Sequence, residues 1–561
     1  DELPGYREGL FQDGGWPAGG KRGSLRTAVG LLDDPENQAQ VPLTVDLLED
    51  GHLAVLGTVV SGKSTFLQTF LYSMVCRYTP DEVQMYLLDF GNRMLESFER
   101  MPHVGGVLFE NQEEKMSRFF FLLEHLVGER KKQLEGGTYV QYLQYSGKCL
   151  PAVVVVIDGY AGFREKTKNR YEDLLVQLAR EGTGCGIYLV MTAGGFGANE
   201  IPSRIGSHFR STLALEMGDR FQYLDVLRVH RIEVVPEADC KGRGLANTPA
   251  GVLEFQTALA LRAADDYERG SRIRETGQEM DAAWRGGRPK AVPEIPENAT
   301  LSMLAEREEY QSMLKNTRYL PYAYRLEDAA VYGVDLLHCF CYLIGGKKGS
   351  GKTNLLKLLI WAAGHKRAKS VVIELEGRAL EKLALECGAR HIADRDGLFT
   401  FFMEFSESIR KRDLRLNELR GKGEEGLLLF EHMQQEIPVF FLIDNLEPFF
   451  ESVYHPKPGE TDMRGFVEKI MEKGMMHNFY FIGCLNTEDY ARVINYKAFQ
   501  SFIREHKGVY LGGNLAVQKF FQFQNFSHLE LTKPMKKGMA MAANPLEEAE
   551  GEKLVIPLAG K

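Results

Sequence analysis

The 561-residue sequence predicts an α/β fold built twice, and three observations carry that expectation. A glycine-rich loop, Gly57-Thr58-Val59-Val60-Ser61-Gly62-Lys63-Ser64, lies between the apolar run His52–Leu56 and the helical-looking Thr65–Leu71. A second loop, Gly346-Lys347-Lys348-Gly349-Ser350-Gly351-Lys352-Thr353, follows the strand-like Phe340–Ile344 and opens into Asn354–Ile360. Downstream of each loop, an apolar run ends in an aspartate: Pro151–Asp158 and Val439–Asp444. A strand, a phosphate-cradling loop, a helix and a second strand-borne acid make a P-loop nucleotide module. Two tandem P-loop NTPase (RecA-like) modules are therefore expected, each a mostly parallel β-sheet flanked by helices.

The landmarks recur at matched intervals. Asp46 precedes Gly57 by 11 positions and Asp335 precedes Gly346 by 11; Lys63 to Asp158 is 95 positions and Lys352 to Asp444 is 92. Such agreement reads as a tandem repeat of one fold, in a chain too long for a single core.

Taken in order, residues 1–30 are an irregular lead-in broken by Gly14-Gly15, Trp16-Pro17 and Gly19-Gly20. Residues 31–285 are expected to form the first module. It opens on short strands around Ala28–Asp33 and Val41–Leu47, continues through the first P-loop, and then has the strand Val83–Gly91. A long amphipathic helix is expected from about Glu113 to Leu134. The unbroken β-branched run Val153–Ile157 suits a strand covered on both faces. A helix near 169–181, the strand Gly186–Ala193 and a set of edge strands and hairpins including Ser211–Leu215 and Gly251–Gln256 follow, with a helix over 259–285. Residues 286–300, with Gly286-Gly287, Pro289, Pro293 and Pro296, read as a linker, and 301–561 as the second module.

The chemistry explains the residue types. Gly57, Ser61, Gly62, Lys63, Ser64 and Thr65 are candidates to bind ATP, with Gly57 and Gly62 permitting close backbone approach and the loop's backbone N–H groups wrapping the phosphates at a helix N-terminus, as are Gly346, Ser350, Gly351, Lys352, Thr353 and Asn354. Lys63 and Lys352 are the cations for the terminal phosphates. Ser64 with Asp158, and Thr353 with Asp444, are the candidate Mg²⁺ set. Enzymes of this class usually carry a glutamate directly after the strand acid, whereas here Gly159 and Asn445 follow. Glycine offers no base and asparagine cannot accept a proton at neutral pH, so weak or absent hydrolysis is expected. Glu165, Glu447, Glu374 and Glu376 are nearby acids that read better as surface residues. Thr192 and Asn486 stand where a γ-phosphate sensor would sit, and Arg243 is a candidate arginine finger, although solvated loop arginines are commoner.

Bulk properties narrow the partners. A net charge of −9 argues against a surface that tracks nucleic acid. Eight scattered cysteines read as reduced core thiols of a cytosolic setting. No apolar run reaches membrane-span length. The opening Asp1-Glu2-Leu3 has neither an initiator Met nor a signal peptide, and a fragment of a longer protein is expected.

With both modules laid out, the sequence resembles the FtsK/SpoIIIE-type ATPases, and within them the EssC/EccC-like ATPases of bacterial type VII secretion. The resemblance rests on Val29–Pro35 with Gln38-Ala39-Gln40, Gly51–Val55, Leu88–Gly91, Pro102–Gly105, Gly186–Thr192 and Gly242–Leu245. In the second module it rests on Tyr342–Gly346 and Gly351–Leu356. The resemblance implies a membrane-anchored polypeptide at the cytoplasmic face of the bacterial cell membrane, hexameric at full length, of which this chain would be the last two modules. It also implies that these modules bind nucleotide and recognise export signals on small helical WXG-type substrates, alongside other secretion-system components. Two other classes share the motifs: a double-stranded DNA translocase, which would be expected to carry a basic DNA-reading domain, and a scaffold in which ATP is structural.

Overall fold

In a computed structural model, residues 10–16, 23–146, 149–504, 506–523, 526–543 and 551–560 are described. Parts of the lead-in and the acidic stretch Asn544–Glu550 lie outside them. The chain divides into two compact units, Asp1–Pro293 and Glu294–Lys561.

The first unit is one ten-stranded sheet. Its strands are β1 (Arg26–Asp34), β2 (Ala39–Asp46), β3 (Leu53–Leu56), β4 (Val83–Asp89), β5 (Val104–Phe109), β6 (Ala152–Asp158), β7 (Ile187–Ala193), β8 (Ser211–Leu215), β9 (Arg243–Thr248) and β10 (Gly251–Thr257). They stand in the order β2-β1-β10-β9-β8-β3-β7-β6-β4-β5. From β8 to β5 neighbours are parallel, and from β2 to β8 antiparallel.

The second unit repeats this strand for strand. It contains β11 (Tyr319–Arg325), β12 (Val331–Asp335), β13 (Cys341–Gly346), β14 (Lys369–Ile373), β15 (Arg390–Ile392), β16 (Val439–Ile443), β17 (Phe479–Asn486), β18 (Gly508–Leu511), β19 (Met539–Ala543) and β20 (Gly551–Val555). Their order, β12-β11-β20-β19-β18-β13-β17-β16-β14-β15, is the first order with ten added to every number. The matched landmark intervals are thus the trace of a duplicated topology.

Each sheet is covered on both faces, which is why its central strands are apolar up to the polar residues at their C-terminal ends. In β6 every residue is buried; Val154 and Val156 join one apolar cluster and Val153, Val155 and Ile157 the other. In the second unit Leu343 and Phe441 face one cluster, Ile344 and Leu442 the other. The aromatics Phe401, Phe402, Phe520 and Phe521 are buried in the second unit's core.

Several elements differ from expectation. β8 is interior, hydrogen-bonded to β3 on one side and β9 on the other, rather than an edge strand. Its brevity reads as peripheral in the sequence, but partners flank it on both sides. β10 is likewise interior, between β1 and β9. β1 opens at Arg26, inside the stretch read as lead-in, because β2 and β10 both pair with it. The helix expected near 169–181 is Glu172–Glu181, and a further helix, Tyr160–Thr167, precedes it directly after Gly159. The glycine- and proline-rich segment after Trp284 has no regular structure but is strapped along the edge strand β5: Val292 is buried and donates its N–H to Gly105 O at 2.9 Å, and Tyr86 donates its hydroxyl to Lys290 O at 2.8 Å. Covering an edge in this way blocks stray strand pairing.

Candidate functional site

The parallel strands align their C-terminal ends. Leu56 pairs with Ala193, Asp89 with Asp158, and Gly346 with Asn486. Both glycine-rich loops therefore leave the sheet at the edge where α/β folds hold ligands.

In the first unit the loop turns from β3 into the helix Lys63–Arg77. Gly57 has no room for a side chain: a Cβ there would lie 2.6 Å from Ser61 Oγ and 3.0 Å from Leu215 Cβ. Gly62 has φ +104, and a Cβ would meet Gly242 N at 2.9 Å. It begins the helix with no side-chain cap, which leaves the first-turn N–H groups for an anion. Gly351 does the same at φ +102 before the helix Lys352–Gly364. In the second loop a Cβ on Gly346 would lie 2.6 Å from Ser350 Oγ. Ser61 Oγ and Ser350 Oγ, at matching positions, are buried with no hydrogen-bond partner among the described residues. A cradle closed to Cβ atoms, bare helix N–H groups and an orphan hydroxyl fit a phosphate chain.

Both loop lysines are folded back on their own loops. Lys63 Nζ donates to Gly57 O at 2.7 Å and Thr58 O at 2.5 Å; Lys352 Nζ donates to Gly346 O at 3.1 Å and Lys347 O at 2.7 Å. Burial lowers the pKa of each ammonium, opposed by Asp158 and Glu200 around Lys63 and by Cys484, Glu488, Asp444 and Asp489 around Lys352.

The strand acids meet the loop hydroxyls. Ser64 donates to Asp158 Oδ2 at 2.7 Å and lies 3.3 Å from Asn92 Oδ1; Thr353 donates to Asp444 Oδ1 at 3.1 Å. Burial raises both carboxyl pKa values, and the hydroxyl donors pull them back. A serine or threonine oxygen beside a carboxylate is the donor set for a Mg²⁺ that keeps several waters.

The two acids differ in support. Asp158 is 2% exposed and its Oδ1 accepts a second hydroxyl, from Thr192 at 2.5 Å, while Thr192 Oγ1 accepts the Gly159 N–H at 2.8 Å. Thr192 thus orients Asp158. Asn486 instead donates to Asp489 at 2.8 Å.

The residues after the acids also differ. Gly159 is left-handed at φ +78, and a Cβ would lie 3.2 Å from Phe90 O. Asn445 is extended at φ −141 and its side chain accepts from Glu447 N at 3.2 Å, capping the helix Leu446–Tyr454. Its side chain is engaged as a cap, which leaves it poorly placed to orient a water.

Other candidate residues have local tasks. Asn354 donates to Pro557 O and accepts from Ala559 N, both at 2.9 Å, so its side chain ties the P-loop helix to the segment after β20. Only its backbone N–H is left for a phosphate. Glu374 is buried, accepting from Ala379 N and Leu380 N and facing His391 Nε2 at 3.0 Å. Glu447 pairs with Arg492 at 3.0 Å, and Glu165 is exposed on its helix. Arg243 faces Glu254 at 3.3 Å within its own unit. Sequence reasoning missed Asn92 and Glu200. Asn92 follows the strand-ending Asp89-Phe90-Gly91, a signal that was available; Glu200 sits on a loop seven positions past its strand, at no telltale spacing.

Among the described residues, no helix is long and apolar enough to cross a membrane.

Residues 25–137 match the FtsK/SpoIIIE family model. The type VII secretion system protein EssC of Staphylococcus aureus (strain MRSA252) is 27% identical over 316 residues, covering 56% of this chain and 21% of the relative. The ESX secretion system protein EccC of Geobacillus thermodenitrificans (strain NG80-2) is 22% identical over 481 residues, 83% of this chain and 30% of the relative. The chain thus spans less than a third of the length of these relatives. Among solved structures, EssC (ATPases 2 and 3) from Geobacillus thermodenitrificans matches with a TM-score of 0.79 at 19% identity, over 97% of this chain and 98% of that one. Thermomonospora curvata EccC (ATPases 2 and 3), in complex with a signal sequence peptide, matches with a TM-score of 0.61 at 21% identity, over 98% and 96%. These structures share the tandem fold. Residues 25–137 are an FtsK/SpoIIIE-family domain, in a chain whose homologues are named EssC and EccC.

Proposed function

We propose that this chain is an ATP-binding portion of a type VII secretion ATPase, in which two nucleotide sites bind MgATP, hydrolyse it weakly or not at all, and couple its presence to the recognition of exported proteins. The observation that carries this reading is the pair of complete phosphate cradles whose strand acids are followed by Gly159 and Asn445.

The N–H groups of residues 62–65 and 351–354 would receive the phosphates, Lys63 and Lys352 would leave their loop carbonyls for the terminal ones, and Ser64 with Asp158 and Thr353 with Asp444 would hold Mg²⁺. Bound MgATP supplies a neutralised phosphate chain poised for in-line attack by water. Neither site places a carboxylate directly after its strand acid to orient that water, and loss of a general base costs roughly 10²–10⁴-fold in rate.

Nucleotide occupancy then orders rather than drives. In this reading the exported partners are small helical WXG-type proteins, the full-length protein is membrane-anchored and hexameric, other secretion components complete it, and nucleic acid is not a partner. The relatives named for type VII secretion support the reading.

The test is calorimetric MgATP binding to the intact chain, Lys63→Ala and Lys352→Ala, with phosphate release followed on the same samples. The expected result is loss of one site per variant and negligible release throughout. Robust release abolished by either substitution would make the fragment an engine and sink the proposal.

A further inference from the structure

Glu200 is placed with more care than a loop acid needs. The loop from Gly194 to Ile201 leaves β7 and folds back on itself: Phe196 bridges to Ile201, Gly197 N–H donates to Ile201 O at 3.0 Å, and Glu200 N–H donates to Gly197 O at 3.3 Å. It is pinned from outside as well. Arg164 donates to Ala198 O, and the Phe196 ring lies against Gly206, where a Cβ would be 2.6 Å from its Cδ1, with the Arg228 guanidinium 5.4 Å above.

The loop returns Glu200 to its own start. Gly194 N–H donates to Glu200 Oε2 at 2.8 Å, and a Cβ on Gly194 would lie 2.7 Å from Oε1. One residue back, Ala193 O accepts the N–H of Gly57 at 3.1 Å, the first residue of the P-loop. The carboxylate is therefore fixed next to the anchor of the phosphate loop. It has no ion-pair partner among the described residues, and its charge acts on Lys63 together with that of Asp158. Asp158 is satisfied by two hydroxyls; Glu200 has a single backbone donor.

A fixed negative charge on the loop lysine and the terminal phosphate of a nucleotide compete for the same cation. We propose that Glu200 sets the nucleotide preference of the first site, lowering its affinity for a nucleoside triphosphate relative to the diphosphate and so biasing the site toward release of the triphosphate state. This rests on the reading of the first loop as a nucleotide site. The cost falls mainly on the triphosphate, because the additional charge lies at the end of the chain that Lys63 serves.

The experiment is calorimetric titration of MgATP and MgADP into the full chain carrying Lys352→Ala, with and without Glu200→Gln. Glutamine keeps an acceptor for Gly194 N–H and removes only the charge. The expected result is an ATP-to-ADP affinity ratio raised about three- to tenfold, the scale of one charge contact screened at a protein surface, with MgADP affinity changed less than about twofold. Gly194→Ala, which crowds Oε1, should shift the ratio in the same direction. An unchanged ratio in a folded Glu200→Gln variant, or an equal change for both nucleotides, overturns the proposal. Failure of the Lys352→Ala parent to bind either nucleotide overturns the nucleotide reading of the first site, and the role of Glu200 with it.

Discussion

Installing a glutamate after each strand acid should have opposite outcomes in the two modules. At position 159 the backbone is left-handed, φ +78 and ψ 61. A side chain in that region costs about 1–2 kcal/mol, and the new Cβ would press on Phe90 O at 3.2 Å. Gly159→Glu should therefore destabilise the first unit by roughly 1–3 kcal/mol, lower its melting temperature by several degrees, and add no phosphate release. At position 445 the backbone is extended, φ −141 and ψ 120, and accepts a glutamate without strain. Asn445→Glu gives up only the cap on Glu447 N, about 1 kcal/mol, and places a carboxylate directly after Asp444. It should raise release at the second site on the order of 10²-fold. The assay is continuous phosphate detection on the full chain, with Lys63→Ala silencing the first site for Asn445→Glu and Lys352→Ala silencing the second for Gly159→Glu, and thermal melts on the same samples. A Gly159→Glu chain that hydrolyses ATP at undiminished stability would refute the backbone argument. So would an Asn445→Glu chain that binds MgATP and stays silent.

Two further outcomes follow from buried groups and strained backbone. His52 donates from Nε2 to Ala179 O at 3.1 Å and accepts the Leu189 N–H on Nδ1 at 2.9 Å, so it must be neutral; burial lowers its pKa to about 4. A depressed histidine pKa gives stability that is complete above the unfolded value of 6.5 and lost as pH falls toward 4, about 3 kcal/mol in all. His103, also buried with a pKa lowered to about 4, adds to the same loss. Chemical denaturation between pH 7 and 4 should show the first unit weakening while His52→Gln flattens part of the slope; a flat profile in the parent would contradict it. Val60 is β-branched at φ +68 where the second loop has Gly349 at φ +78. Val60→Gly should stabilise the first unit by about 1 kcal/mol or more, read by thermal melt, and Gly349→Val should do the reverse in the second.

The sequence carried the parts of the site that depend on short-range pattern. Gly57–Ser64 and Gly346–Thr353 are legible because the backbone cradle needs its residues contiguous, and Asp158 and Asp444 because an apolar run has to end at the sheet edge. What contacts decide was not legible. β8 is five residues with two of them half-exposed, and nothing in it says that β3 lies on one side and β9 on the other. Asn354 and Asn445 carry side chains whose chemistry suits a phosphate or a water, yet partners in the fold, Pro557 and Glu447, claim them first. Glu374 looked like a spare acid at a strand end, and its own loop closes on it. Glu200 became visible only once the loop after β7 had been folded back onto Gly194.

Because the strand orders coincide term for term, every strand in one module has a counterpart in the other, and the molecule contains its own matched control. Val60 and Gly349, His52 and Cys341, Gly159 and Asn445 stand at equal offsets from the matched loops and strand acids, carried on one chain at equal concentration in one buffer. A difference in nucleotide affinity, acid sensitivity or turnover between the halves can therefore be assigned to named substitutions by swapping residues across the pair. The reciprocal exchange tests each assignment without recourse to a second protein.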